Sequence, residues 1–253
     1  MRLAHDARTL IVALACGLAG VTSAGASNFT VTPTEVDLSA AKTSALVTLR
    51  NGGKAPLRFE ITAFTWSEAP DGQMTLAPTS DVTFFPKLVE LGPGQSRNIR
   101  LGVTGAPGSM ERSYRLFVEE LPDSSRPAAN AVMIRTKLGV PVFVRPEKPA
   151  RTAVVESVTV EGNKIRTTIH NTGTLHISVD GLTVRGMSTA GAATFTREVP
   201  GWYVLPGATR VFDTPLTSGE CRGLATVAVE VRAHNSVFKG SGPVPAGACS
   251  ATP

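Results

Sequence analysis

The chain is poor in the residues that carry chemistry. Its 253 residues include only four histidines and three cysteines, and aromatics make up 6%. His5 falls in the N-terminal leader described below, which leaves His170, His176 and His234. His170 and His176 flank a turn, but two histidines without a third ligand make a poor metal site. There is no Gly-x-Ser-x-Gly; Gly186-Met187-Ser188-Thr189-Ala190-Gly191 has the wrong spacing and reads as a loop. No phosphate loop and no dinucleotide fingerprint occur. Glu119 and Glu120 are adjacent, and adjacent strand residues point to opposite faces, so they cannot work as a carboxylate pair. The expectation is a protein without catalytic residues, metal, cofactor or small-molecule substrate. A copper-handling protein built on His170 and His176 is the chemical alternative. The basic residues are scattered without interleaved aromatics, which argues against nucleic acid as a partner.

Long apolar runs are also missing. Beyond the leader nothing approaches the roughly 18 apolar residues of a membrane-spanning helix. Residues 1–26 read as a secretory signal: Arg2 and Arg8 precede a short apolar stretch from Thr9 to Val21, and Ala24 and Ala26 are candidate cleavage positions. Removing Arg2, Arg8 and Asp6 takes one positive charge from the formal +5, leaving +4. Cys16 leaves with the leader. In an exported protein the remaining Cys221 and Cys249 suggest a disulfide, worth roughly 3–4 kcal/mol by loop closure, with two free thiols as the alternative.

What is abundant is turn chemistry, with 24 glycines and 18 prolines. Two patterns occur twice in the same order. ALVTLRNGGKAPLRFEITAF (Ala45 to Phe64) resembles IRTTIHNTGTLHISVDGLTV (Ile165 to Val184), each an alternating run on either side of Asn-x-Gly. Leu91-Gly92-Pro93-Gly94-x-x-Arg97 parallels Leu205-Pro206-Gly207-x-x-Arg210, each a Pro-Gly turn before a fresh alternating run. Repetition in order, with short strands and no sustained helical period, predicts two related β-sandwiches of the immunoglobulin kind. The prolines of Arg145-Pro146-Glu147-Lys148-Pro149 mark the join, giving domains at 27–146 and 147–253.

In sequence order, VTPTEVDLSAAKTSALVTLRNGG, FEITAFTW, FFPKLVELGPGQSRNIRL, ERSYRLFVEELP and VPVFVRP in the first half, with HNTGTLHISVDGLTV and VLPGATR in the second, resemble the PapD-like pilus-assembly chaperones. The resemblance implies two sandwiches set at an L-shaped angle around a cleft. It implies a periplasmic, non-enzymatic protein whose partners are pilin or fimbrial subunits and an outer-membrane usher. It also implies donor-strand complementation: the last strand of the first domain fills the gap in a subunit that lacks a strand. Counting back from Arg145-Pro146 puts Val132, Ile134 and Thr136 at groove-filling positions, with Leu138 next in phase. An exported two-domain structural or adhesive surface protein is the rival reading, although SNFTVTPTEV enters a strand almost at once and leaves no room for a donor extension of its own.

Two family features are displaced here. Glu35 stands where better-known members carry an arginine that grips the subunit's terminal carboxylate, and Pro141 stands at the matching lysine position. Arg135 and Lys137, in the opposite phase from Ile134, are the replacement candidates by charge and phase. Glu111 and Arg145 match an acidic–basic pair that fixes the angle between the family's domains.

Overall fold

The computed structural model describes residues 27–69, 72–122 and 134–248. The leader, Val132, Cys249 and residues 123–130 of the connection before the donor segment lie outside them. Among the described residues no helix is long and apolar enough to cross a membrane.

Ten strands build the first sandwich: β1 (Phe29–Thr32), β2 (Val36–Leu38), β3 (Ser44–Asn51), β4 (Leu57–Glu68), β5 (Met74–Pro78), β6 (Val82–Phe85), β7 (Leu88–Leu91), β8 (Ser96–Val103), β9 (Arg112–Glu120) and β10 (Lys137–Val144). A four-stranded sheet in the order β1-β3-β8-β6 faces a six-stranded sheet in the order β2-β10-β9-β4-β5, with β7 also on β4. Alternate residues point inward, so Val47, Leu49, Ile99 and Leu101 of one sheet meet Ile61, Leu116, Val118 and Val142 of the other in a single core.

The second sandwich follows after a strand-free stretch, residues 145–152. It holds β11 (Ala153–Glu161), β12 (Lys164–Asn171), β13 (Ile177–Ser188), β14 (Ala193–Pro200), β15 (Tyr203–Val204), β16 (Thr209–Pro215), the single-turn helix α1 (Ser218–Cys221), β17 (Leu224–Ala233) and β18 (Ser236–Pro243). Its sheets are β11-β12-β16 and β14-β13-β17-β18, with β15 on β13. Ile165, Ile169, Leu182, Val184, Val227 and Val229 form its core. Cys221 is disulfide-bonded and packs against that core.

The two repeated sequence patterns are halves of one device. Asn51 is fully buried, and its Nδ2 donates to Ala55 O (2.8 Å) and Leu91 O (3.0 Å) while its Oδ1 accepts from Gly53 N (2.8 Å). Asn171 does the same with Leu175 O (2.9 Å), Val204 O (2.8 Å) and Gly173 N (2.9 Å). The main chains agree too: Gly94 N donates to Asn51 O, and Gly207 N to Asn171 O. One amide side chain therefore ties the Asn-x-Gly turn to the neighbouring Pro-Gly turn and satisfies carbonyls that burial would otherwise leave unpaired.

Candidate functional site

The site is assembled around β10. This strand pairs antiparallel with β9 along its whole length, from Lys137 opposite Glu119 to Val144 opposite Arg112. Its other side pairs with β2 only at Val142–Val144, and there in parallel. Glu120 N donates to Thr136 O (3.0 Å) and Arg145 N to Leu38 O (2.9 Å), which fixes the alternation: even residues bond β9, odd residues face outward. Among the described residues, no strand pairs with the outward edge from Lys137 to Pro141. Pro141 lies at an outward position, where its missing N–H costs no ladder bond. Gly139 O receives one long contact, from Arg115 Nη1 at 3.4 Å.

Burial divides β10 in two. Val140, Val142 and Val144 are at most 5% exposed in the first core. The same face continues in phase through Leu138, which is 37% exposed, to Thr136 and then Ile134, at 55%. The apolar series thus outruns its own sandwich. Val132 would extend it but lies outside the described residues.

The opposite face of the six-stranded sheet carries the basic groups. Arg135 and Lys137 are exposed, and Lys137 Nζ lies 2.8 Å from Glu119 Oε2. That bond holds the Glu119 carboxyl below the usual carboxylate range. Lys137 therefore already has a counter-charge. A cation that no sequence motif marks is Arg115, the cross-strand neighbour of Pro141. It is 7% exposed, its Cζ stacks 3.9 Å above Trp66, and burial pulls its guanidinium below its ordinary value.

The same face docks the second sandwich. Trp66, Phe143 and Leu205 form a small apolar cluster between the two, with Tyr203 against it. The His176 ring stacks on Phe143 at 3.8 Å. The Tyr203 hydroxyl donates to Glu35 Oε2 (2.9 Å), and burial together with that carboxylate raises the phenol to about 12. Glu68, its side chain fully buried, accepts from Leu205 N (2.8 Å) and from Arg210 Nη1 (3.0 Å). Desolvation raises the Glu68 carboxyl despite these partners.

The expected Glu111–Arg145 pair is not formed. Glu111 does cross between sandwiches, but its Oε1 accepts from His176 N (3.0 Å) and bonds His176 Nδ1 (2.7 Å). Arg145 instead meets Asp37, at 3.2 Å. The reason is positional: Glu111 precedes β9 and is buried, with His176 1% exposed beside it, whereas Arg145 follows β10 and stays with β2. His170, by contrast, bonds Thr209 Oγ1 of its own sandwich at 3.0 Å. No group of three or more potential metal ligands occurs among the described residues. Glu35, at the position where the resemblance leads one to expect an arginine, accepts from the Tyr203 hydroxyl across the junction.

Residues 28–150 match the family described as "Pili and flagellar-assembly chaperone, PapD N-terminal domain". Among solved structures, the chain is similar to one in the CsuC–CsuE chaperone–tip adhesion subunit pre-assembly complex of Acinetobacter baumannii, with a TM-score of 0.60 and 18% identity over 86% of this chain and 98% of that one. It is also similar to the YadV chaperone, with a TM-score of 0.57 and 15% identity over 85% and 98%. A third match is to the Salmonella enterica SafA pilin–SafB chaperone complex, with a TM-score of 0.53 and 16% identity over 85% and 97%. No match is found among curated protein sequences. At these identities the structural likeness speaks for the fold.

Proposed function

Because this chain is a PapD-like pilus-assembly chaperone, we propose that it works in the periplasm, where it caps pilin-type subunits by lending them the leading part of β10 and passes them to an outer-membrane usher. Export through a cleaved leader and a division of the chain between residues 146 and 147 belong to the same reading. So does a disulfide between Cys221 and Cys249. Two of the similar structures are chaperone–subunit complexes by description, which supports a subunit as the partner.

One observation carries the reading. The apolar series that Val144, Val142 and Val140 send into their own core continues beyond it as Leu138, Thr136 and Ile134, beside an edge that no described strand pairs. A subunit missing a strand has the complementary defect: a groove of core side chains beside unpaired backbone groups. Such an edge aggregates when left open. An extended donor meets both needs at once, its backbone completing the ladder and its alternate side chains filling the groove. Each fully buried Ile or Leu adds about 1.5–3 kcal/mol before ordering costs. The exchange consumes no cofactor and makes or breaks no covalent bond, so it needs no catalytic group.

The client's terminal carboxylate falls to the basic face. With Lys137 held by Glu119, Arg135 is the member of the candidate pair that has no ion pair among the described residues. The decisive experiment is co-expression with candidate secreted subunits and isolation of a one-to-one complex. Ile134→Asp is expected to abolish that complex while the chaperone keeps its fold and melting temperature. Normal complex formation by that variant would refute the donor assignment. Arg135→Ala is expected to weaken the complex more than Lys137→Ala, measured as a ratio of dissociation constants.

A further inference from the structure

Gly139 is the third residue of β10, inside the strand, where a side chain would ordinarily help. A Cβ added there would sit 2.9 Å from Phe117 Cε1, so the phenyl ring of its cross-strand partner lies directly over the glycine backbone. The same ring faces Lys137 Nζ at 4.8 Å and packs edge-on against Phe64 of β4 at 5.8 Å. Lys137 closes the arrangement through its 2.8 Å bond to Glu119. These contacts run across three strands, from Phe64 on β4 through Phe117 and Glu119 on β9 to Gly139 and Lys137 on β10. They end at the first residue of β10, one position after Thr136, which takes the bond from Glu120 N.

We propose that Gly139, Phe117 and the Lys137–Glu119 pair form a latch that holds the leading end of β10 in register on β9 before any client arrives. Phe117 and Gly139 are positioning residues: they need not touch the client. Without the latch, the three exposed positions that open β10, Lys137 to Gly139, would have their ladder bonds and the long Arg115 contact to Gly139 O to hold them, and short unpacked strand ends open readily. With it, the outward edge is presented already extended, and ordering costs are met before encounter. The glycine is the enabling choice, because any side chain at 139 pushes the ring off the strand and uncouples Lys137 from it. Lys137 is thereby assigned to strand positioning and Arg135 is left to contact the client, an inference that rests on the donor-strand reading above.

Amide hydrogen exchange on the client-free protein tests the latch without relying on that reading. In Phe117→Ala, the Leu138 and Val140 amides, which alternation directs at β9, are expected to exchange about tenfold faster. Amides in the β3 and β8 core should be unchanged. Glu119→Gln, a surface change, should give a smaller acceleration at Leu138, and Phe117→Tyr should restore protection. Gly139→Val, which keeps strand propensity, should mimic Phe117→Ala. With a purified subunit, Phe117→Ala should slow association several-fold and change dissociation less. Unchanged exchange at Leu138 in both Phe117→Ala and Glu119→Gln would overturn the latch. A subunit that fails to bind even the unmodified chain would instead count against the donor-strand reading and leave the exchange result standing.

Discussion

The two sandwiches use the same asparagine device for different ends. In the first, the turn after Asn51 grips the chain entering its own first strand, through Gly52 N to Asn28 O at 2.9 Å. In the second, the turn after Asn171 likewise grips the entering chain, with Thr174 N and Leu175 N both donating to Ala150 O. Gly173 is required there, because a Cβ would meet Ala150 O at 2.5 Å. Only the second copy also reaches outside its sandwich: Thr174 O accepts from Glu111 N, and His176 two residues on holds the Glu111 carboxylate. A turn that serves as an internal staple in one half has become the junction in the other. The open edge shows the opposite asymmetry. In the first sandwich the apolar face of β10 outruns the core, while β18, the edge strand beside β17, has one buried residue among its eight.

The comparison can be broken hardest at the asparagines. Asn171→Ala leaves two buried carbonyls and a buried N–H without their partner, and Asn51→Ala leaves buried Leu91 O with the part-buried Ala55 O and Gly53 N, at a cost of up to about 3 kcal/mol, read from urea unfolding. If the device is equivalent, the two losses should agree to within about 1 kcal/mol. Asn171→Ala alone should also perturb the junction, seen as faster exchange at the Glu111 amide. A smaller effect is expected from Tyr203→Phe, which removes the bond to Glu35 but keeps the aromatic packing, at about 1 kcal/mol. Glu68 makes the junction pH-dependent. Its carboxyl is raised in the folded state, so the protonated form is favoured by folding. Its contribution is fully present below about pH 4.5 and is lost as pH rises through the folded value. Glu68→Gln should therefore gain melting temperature relative to the unmodified chain between pH 4.5 and 7, and equal behaviour across that range would refute the assignment. The smallest effect is expected far from the junction, at the exposed Lys164–Asp213 pair, where Lys164→Met should shift the melting temperature by less than about 2 °C.

The repeat was legible because its parts are local. Asn-x-Gly and Pro-Gly announce turns in a few residues, and the alternating runs of β3, β4, β12 and β13 announce the strands they join. The β10 series was legible for the same reason. What escaped is what lacks a pattern or depends on distant neighbours. β14 has no buried residue in its eight, and β18 has one, so neither offers an alternating apolar signal. Arg115 looks like one more basic residue until Trp66, far away in sequence, is placed beneath it. Glu111 lies at the junction, yet its partner there is not the expected one: charge complementarity favours Arg145, whereas the fold brings up His176. Backbone proximity decides such pairings, and no sequence spacing encodes it.

Pro141 has a consequence for any strand that zips onto β10. The run of available outward N–H groups ends at that ring, since the next outward residue, Phe143, lies within the segment paired with β2. On the donor-strand reading, a guest ladder would meet a fixed terminus there and count its residues from it. The pairing with β9 sets the phase of Leu138, Thr136 and Ile134, and the missing hydrogen of Pro141 marks where the outward N–H groups stop.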